Sequence, residues 1–261
     1  MSTAVGALKT QWRTIHTLLL LDIRTRYIKY RLGFLMAFID PIIFVAFMCL
    51  FFSAMGRHPV IGDSLVMFFA TAIFPFFCYR TTQTEVSTAL QKNKSLFSFP
   101  ILKPLDLLFA VTINQVVSYL LVFMVFTYGY VVIADISAPD DVGRMILPFA
   151  IFGLIGFSMG LITRVIGIYF GFWKYVMKFV SRITMLTSGK FFIADSLPQN
   201  VQNILYYNPF LHLTEYARSA YYAGFESRFM DMRYPLTFAF VSLFIALVLE
   251  RVFRNKLLIK G

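Results

Sequence analysis

The sequence predicts an all-α, polytopic membrane protein with six transmembrane helices. First, 59% of the residues are hydrophobic and 14% are charged, whereas a soluble domain has roughly 25% charged residues. Second, apolar runs recur along the chain, each close to the length of about 20 residues that crosses a bilayer. A large soluble helical core is the alternative, but it would have to hide six separate apolar runs.

The six predicted spans divide the chain without leaving room for a soluble domain of any size. They run at about 34–52, 65–79, 105–134, 145–163, 175–193 and 235–252. The whole chain, 1–261, is therefore interpreted as one transmembrane domain, with a cytoplasmic segment at 1–33 and a cytoplasmic tail at 253–261.

The distribution of Lys and Arg predicts the orientation, since these residues concentrate in cytoplasmic loops. With a cytoplasmic N-terminus, 18 of the 24 basic residues lie inside. The other six are Arg57, Arg144, Lys190, Arg218, Arg228 and Arg233. Both termini are thus predicted to be cytoplasmic, and the net charge of +11 does not require a nucleic-acid partner.

Residues 13–31 combine apolar positions at helical spacing with a basic C-terminal half. This pattern is typical of an amphipathic helix in the headgroup plane, where Lys and Arg lie near anionic lipid. The residues concerned are Arg24, Arg26, Tyr27, Lys29 and Arg31. A simple positive-inside anchor is the alternative, but it does not explain the apolar periodicity.

Two connecting segments are too structured for plain loops. The cytoplasmic segment 80–104 has few helix breakers between Glu85 and Leu96, and Pro100 and Pro104 then end any helix. It is placed to contact a cytoplasmic partner, or it is an inert connector. On the outer side, 194–233 predicts two short helices separated by Asn208-Pro209, which dip into the outer leaflet or cap a pore.

Charged residues inside predicted spans indicate function, because a charge at mid-bilayer costs about 2.5–3.5 kcal/mol. Asp40 lies in the first span, where it faces a lumen, pairs with Arg31 or Arg80, or reaches interfacial water.

The fifth span contains a basic series at intervals of four, with Leu186 at one of the positions. The series is Lys174, Lys178, Arg182 and Lys190, and the aromatic residues near its cytoplasmic end include Tyr169, Phe170, Trp173 and Tyr175. Cations next to aromatic rings suit an acidic sugar chain. The alternative is that the cations follow the positive-inside rule and the rings form an interfacial belt.

No pattern of catalytic residues is present. His16, His58 and His212 are far apart, no H-E-x-x-H or G-x-S-x-G occurs, and the surroundings of Gly189-Lys190 do not fit a phosphate-binding loop. The two cysteines indicate neither a disulfide nor a metal site. We therefore predict no catalytic residue, no metal and no ATP hydrolysis by this chain.

Three groups of motifs occur in a fixed order along nearly the whole chain. They are Arg24–Tyr27, Leu32–Leu35 and Asp40-Pro41; then Asn93–Leu96, Pro100 and Pro104–Asp106; then Leu197-Pro198, Asn208–Phe210, Glu215 and Arg218. The ordered set resembles the capsular-polysaccharide ABC exporter permeases, the KpsM-like transmembrane subunits. One departure is Asp40, which stands where many members have Glu.

The resemblance implies two copies forming a pore, with two ATPase subunits that bind ATP and Mg below them. The expected ATPase-coupling residues are Gln91, Lys92, Asn93, Lys94, Ser95 and Leu96, and the expected periplasmic gate is Asn208, Pro209, Glu215 and Arg218. The cargo would be a lipid-linked polysaccharide, passed to a periplasmic adaptor and an outer-membrane channel, and the basic series suggests an acidic polymer. Permeases for O-antigen, teichoic acid or a drug are alternatives, as is a membrane-embedded sugar-transfer enzyme.

Overall fold

A computed structural model describes residues 33–94 and 103–259, together with Arg13, residues 17–19 and Phe97. In these ranges the regular structure is helical and no strand occurs, which confirms the all-α prediction. The helices are α1 (Gly33–Ala54), α2 (Leu65–Lys92), α3 (Pro104–Ala134), α4 (Val142–Tyr169), α5 (Trp173–Thr187), α6 (Gln199–Leu205), α7 (Pro209–Tyr221) and α8 (Arg233–Ile259). A short 3₁₀ turn, Ala194–Ser196, precedes α6.

Four of the described helices, α2, α3, α4 and α8, are long and apolar enough to cross a membrane. The described side chains of α1 form a shorter apolar segment, Ile39–Ala54. Helix α5 has 15 residues, which corresponds to about 22 Å, less than the hydrocarbon layer of about 30 Å. The structure thus supports four spans, and the count of six stays a prediction.

Helices α2 and α4 form the centre of the bundle, with 18 of the 28 residues of α2 and 13 of the 28 residues of α4 buried. Their close approach depends on two glycines of α4, because a Cβ on Gly156 would lie 2.8 Å from the Tyr79 carbonyl oxygen. A Cβ on Gly160 would lie 2.7 Å from the Gln83 carbonyl oxygen. Small residues one turn apart allow helices to pack backbone against backbone, as is common in membrane proteins.

Helices α3 and α8 lie at the periphery and expose apolar stripes. Val117, Leu121 and Val125 recur every four residues along α3, and all three are exposed. Phe240, Phe244 and Val248 form the equivalent stripe on α8. Since residues four apart share a helix face, these stripes are suited to contact lipid.

The second predicted span is longer than expected. Helix α2 continues beyond Tyr79 to Lys92, so the predicted end of the helix at residue 79 is wrong, and the stretch with few helix breakers after Glu85 belongs to the same helix. The extension is held by packing, since Val86, Ala89 and Leu90 are buried against α3 and α4. Threonine has a low helix propensity, so this threonine-rich stretch does not look helical in the sequence. In the helix, the hydroxyl groups of Thr84 and Thr88 donate to the carbonyl oxygens one turn earlier.

The fifth predicted span ends earlier than expected. Helix α5 ends at Thr187, and Gly189 adopts a positive φ of 73°. A side chain at position 189 would collide with Leu211 of α7. The prediction of a helix to residue 193 is therefore wrong, because the packing of α7 requires a turn at Gly189.

The loops fall at two ends of the bundle. Segments 61–64, 136–140 and 221–223 meet around one cleft, and the Asp140 and Asp141 N–H groups donate to the carbonyl groups of Tyr221 and Ala220. We call this the loop end. At the opposite end, the terminal end, Leu90, Leu107, Val165 and Leu257 belong to one apolar cluster.

Candidate functional site

Helix α7 begins at a residue that joins two helices. The Asn208 side-chain oxygen accepts from the Phe210 N–H (3.0 Å), and its amide group donates to the carbonyl oxygen (3.0 Å) and hydroxyl (2.9 Å) of Thr187 at the end of α5. Pro209 occupies the first turn, where no N–H is needed. All α7 residues except Tyr216 are buried, and the helix packs against α2 and α4. The predicted pair of short helices is present, while its gating role stays a prediction.

An ion pair lies at the centre of α7. Glu215 and Arg218 are fully buried, with Arg218 Nη1 3.5 Å from Glu215 Oε1. Arg218 also donates to the carbonyl oxygens of Phe192 (2.9 Å) and Lys190 (3.4 Å), while Glu215 accepts from the Ala194 N–H (3.2 Å). The ion pair therefore fixes segment 190–194 to α7. This structural role does not conflict with the predicted role of Glu215 and Arg218 in a periplasmic gate.

Lys190 lies in the same buried environment. Its side chain is fully buried, and its Nζ is 3.3 Å from the centroid of the Phe76 ring of α2. Among the described residues this ammonium group has no hydrogen-bond partner. Lys190 lies beyond the end of α5, so its placement in a helical series with Lys174, Lys178 and Arg182 is wrong. We refer to Lys190, Glu215 and Arg218 as the buried cluster.

The other three members of the basic series share an exposed position on α5. Lys174, Lys178 and Arg182 are exposed, and the Tyr175 ring lies 5.1 Å from Lys174 Nζ and 6.0 Å from Lys178 Nζ. We call these three cations the basic face of α5. The nearby aromatic residues Tyr169, Phe170, Phe172 and Tyr175 are exposed, and Trp173 is half-buried. The predicted cation–aromatic surface is thus assembled without Lys190, and its role in transport stays a prediction.

Helix α5 contacts the bundle through Ser181 and Met185, which at about 3.6 residues per turn lie on the same side of the helix as Lys174 and Lys178. Its Ser181 hydroxyl donates to Gln83 Oε1 of α2 (3.4 Å), and Met185 packs against an apolar cluster of α2, α4 and α7. The residues Phe179, Ile183 and Leu186 are exposed on its remaining side. Within the described chain, α5 therefore exposes an apolar side next to its three exposed cations.

Asp40 is exposed on α1, next to the buried Pro41. The Arg80 guanidinium carbon lies 5.8 Å from the Phe77 ring centroid. No ion pair joins Asp40 and Arg80, both of which the structure describes. The alternative partner, Arg31, lies outside the described residues, so a role of Asp40 in a channel stays a prediction.

The predicted coupling residues lie at the terminal end. Gln91 and Lys92 are the exposed last residues of α2, Asn93 follows as its C-cap, and Lys94 is exposed. Lys92 Nζ is 2.9 Å from Glu85 Oε2. Ser95 and Leu96 lie outside the described residues, as do the predicted interfacial-helix residues Arg24, Arg26, Tyr27, Lys29 and Arg31.

Sequence reasoning missed a polar and aromatic network at the loop end. The Tyr206 hydroxyl donates to Asp231 (2.9 Å), and the His212 ring lies between the Tyr206 carbonyl oxygen (2.8 Å) and the Asp231 N–H (3.1 Å). Burial lowers the pKa of His212, so the imidazole is neutral, with Nδ1 accepting and Nε2 donating. The Arg233 N–H and the Tyr206 hydroxyl lower the pKa of Asp231. The aromatic residues were visible in the sequence, but their spacing gave no sign of this contact.

Next to this network lies an open cleft of about 380 Å³ between α6 and the loop that precedes α8. It is lined by Gln199, Gln202, Asn203, Tyr206, Tyr207, Arg228 and Phe229. Within the described ranges, no group of three or more His, Cys, Asp or Glu side chains is arranged to hold a metal ion.

The helical bundle, its apolar exterior and its buried ion pair define a polytopic helical membrane protein. No protein-family model matches the sequence. The chain is similar to the polysialic acid transport protein KpsM of Escherichia coli, with 25% identity over 248 residues that cover 95% of this chain and 96% of the relative. It is also similar to the capsule polysaccharide export inner-membrane protein CtrC of Neisseria meningitidis serogroup A (26% identity, 92% of this chain and 91% of the relative).

A third relative is the capsule polysaccharide export inner-membrane protein BexB of Haemophilus influenzae (25% identity, 85% of this chain and 83% of the relative). All three relatives are described as transport or export proteins rather than enzymes. The similarity confirms the family resemblance indicated by the sequence motifs.

Proposed function

We propose that this chain is the transmembrane subunit of an ATP-driven exporter that moves a lipid-linked, acidic capsular polysaccharide across the bacterial inner membrane. The main support is similarity over 85–95% of the chain to a polysialic acid transport protein and to two capsule polysaccharide export inner-membrane proteins. The four long apolar helices agree with such a location. In this proposal α1 and α5 complete a set of six spans, and both termini are cytoplasmic.

An acidic polymer is the cargo that the basic face of α5 favours. Lys174, Lys178 and Arg182 are exposed beside aromatic rings. Cations pair with carboxylate or phosphate groups in charge-assisted hydrogen bonds, and aromatic rings stack on the apolar faces of sugars. The cluster of both side-chain types supports this choice over an uncharged cargo.

Two copies of the chain would form the pore. Phe179, Ile183 and Leu186 on α5 and Ile43, Phe47 and Leu50 on α1 are exposed. In a dimer, the apolar side of α5 would be covered and the adjacent basic face would line the path. A periplasmic adaptor and an outer-membrane channel would receive the polymer.

The ATPase subunits would dock at the end of α2, and they would bind ATP and Mg. The extension of α2 to Lys92 forms a rigid helix end at the terminal end of the bundle. Because α2 is continuous from the bundle core to Lys92, a movement of the ATPase subunit at its end would be transmitted to the core more directly than through a flexible loop. The coupling residues 91–96 then lie at the contact.

Copurification tests this function. The tagged chain, expressed with its genomic neighbours, should copurify with an ATPase subunit, and the complex should hydrolyse ATP. Lys94→Glu should reduce the amount of ATPase recovered, because it reverses a charge at the proposed contact. Arg251→Glu is the matched control, since Arg251 is an exposed cation of α8 at the same end of the bundle. Recovery of the chain without any ATPase would contradict the proposal.

A further inference from the structure

The open cleft beside α6 differs from the rest of the loop end in its chemistry. Its volume of about 380 Å³ falls in the range of about 300–1,000 Å³ that is typical of small-molecule sites. Its lining has three side-chain amides, three aromatic rings and one guanidinium group. These lining residues, all of which the structure describes, include no carboxylate.

The amides are held in place by the protein, and each keeps hydrogen-bonding capacity. Gln202 donates to the Leu197 carbonyl oxygen (2.8 Å), and Gln199 donates to Asn203 Oδ1 (3.0 Å). This leaves the carbonyl groups of Gln199 and Gln202 and the amino group of Asn203 for a ligand. A side-chain amide both donates and accepts, which matches the paired hydroxyl groups of a sugar ring.

The aromatic wall is preorganised. The Tyr206 ring contacts the rings of Phe229 (6.0 Å between centroids), Tyr234 (5.7 Å) and His212 (5.0 Å). Tyr207 is 73% exposed, although the Tyr234 hydroxyl holds its carbonyl group at 2.8 Å. The Tyr207 ring also contacts the Tyr206 ring edge-on, with 6.1 Å between centroids, and its exposed face offers a stacking surface for a ligand.

Arg228, the cation of the cleft, is held in place through its backbone. The N–H groups of Arg228 and Phe229 donate to the two carboxylate oxygens of Asp195 (2.9 and 3.1 Å). Asp195 therefore fixes the loop, because each of its two carboxylate oxygens accepts one backbone N–H group. The Arg228 guanidinium forms no ion pair within the described chain, and a planar guanidinium binds a carboxylate with two parallel hydrogen bonds.

We infer that this cleft is a saccharide-binding subsite that takes one carboxylate-bearing sugar residue of the polymer. The amides bind ring hydroxyl groups, Tyr207 stacks on the sugar face, and Arg228 pairs with the carboxylate. This inference rests on the proposed function and deepens it by placing a sugar contact at the loop end, away from the basic face of α5. The other loop-end cleft, lined by Asp63 and Asp140, has the opposite charge and would repel the same ligand.

Binding to the purified full chain in nanodiscs of zwitterionic lipid tests the inference. The probes are a tetramer of N-acetylneuraminic acid and, as a neutral control of equal length, maltotetraose. The wild-type chain should bind the acidic tetramer more tightly. Arg228→Ala should weaken that binding by about tenfold or more, because it removes the charge-assisted hydrogen bonds to the carboxylate, and it should not change the binding of maltotetraose.

Two further variants separate the subsite from a general charge effect. Tyr207→Ala should weaken binding of both tetramers, whereas Tyr207→Phe should retain binding because the ring remains. Arg233→Ala is the matched control, since Arg233 is an exposed cation of the same segment and does not line the cleft. It should bind both probes as the wild type does.

Three outcomes would overturn the inference. One is equal affinity for both tetramers, and another is an Arg228→Ala variant that binds like the wild type. The third is displacement of the acidic tetramer by glycerol phosphate at equal concentration, which would assign the cleft to lipid phosphate. Any of these results with an ATPase still copurifying would refute the subsite and leave the proposed function intact.

Discussion

The basic face of α5 and the buried cluster around α7 are close in sequence and opposite in environment. Lys174, Lys178 and Arg182 are exposed, whereas Lys190 is fully buried. Hydrated cations at an exposed face cost little and remain available to a ligand. A buried cation must instead be satisfied by the protein, because desolvation costs several kcal/mol per ion. Cations of the same type are therefore open to solvent in one region and enclosed by the packed protein in the other.

Within the buried cluster, Arg218 and Lys190 also differ. Arg218 has two carbonyl oxygens and a carboxylate as partners, whereas the Lys190 ammonium group contacts the Phe76 ring and has no hydrogen-bond partner among the described residues. A well-partnered buried charge stabilises the local structure and is costly to remove. An ammonium group with only an aromatic ring for a partner is the weaker arrangement.

The largest expected effect is the loss of Arg218. Arg218→Ala should lower the free energy of unfolding by about 3–5 kcal/mol, because it leaves Glu215 buried and unpaired. Thermal unfolding of the purified chain measures this, and Arg233→Ala, at an exposed cation, provides the control. A melting temperature equal to that of the wild type would show that the ion pair does not fix segment 190–194.

An effect of opposite sign is expected at Lys190. Lys190→Met should raise the free energy of unfolding by about 1 kcal/mol or more, since desolvating an ammonium group costs several kcal/mol and a buried cation–π contact returns about 2 kcal/mol. Methionine retains most of the side-chain volume and the contact with Phe76. The same thermal assay measures the change, and a lower melting temperature would mean that Lys190 has a stabilising partner.

The smallest effect on stability is expected at the basic face of α5. A variant with Lys174→Gln, Lys178→Gln and Arg182→Gln should stay within about 0.5 kcal/mol of the wild-type stability, because exposed positions tolerate substitution. Export of an acidic polymer in cells should nevertheless fall, since the proposed path loses three cations. A variant that removes the exposed Arg57, Lys103 and Arg251 is the control for net charge. Unchanged export would mean that the basic face only sets the membrane orientation and does not contact the polymer.

The helices that face outward were predictable from composition and residue pattern. Helix α3 was predicted within one residue of its observed start at Pro104 and at its observed end, Ala134, and α8 was recognised by its apolar run. Such helices expose apolar side chains along their length, so composition alone reveals them. Asn208-Pro209 likewise predicted the boundary before α7, because an Asn N-cap and a Pro in the first turn act locally.

The ends of the inner helices and the burial of individual charges depend on packing between distant segments, which residue pattern does not reveal. Helix α2 continues through a threonine-rich stretch because Val86, Ala89 and Leu90 pack against its neighbours. Helix α5 ends at Thr187 because Gly189 must turn beneath Leu211. That turn places Lys190 against Phe76 rather than beside Arg182. Residue spacing predicts one helix at a time, whereas the burial of a side chain depends on segments that are distant in the sequence. The cleft beside α6 was not predicted for the same reason, since its lining comes from two separate segments, 199–207 and 228–229.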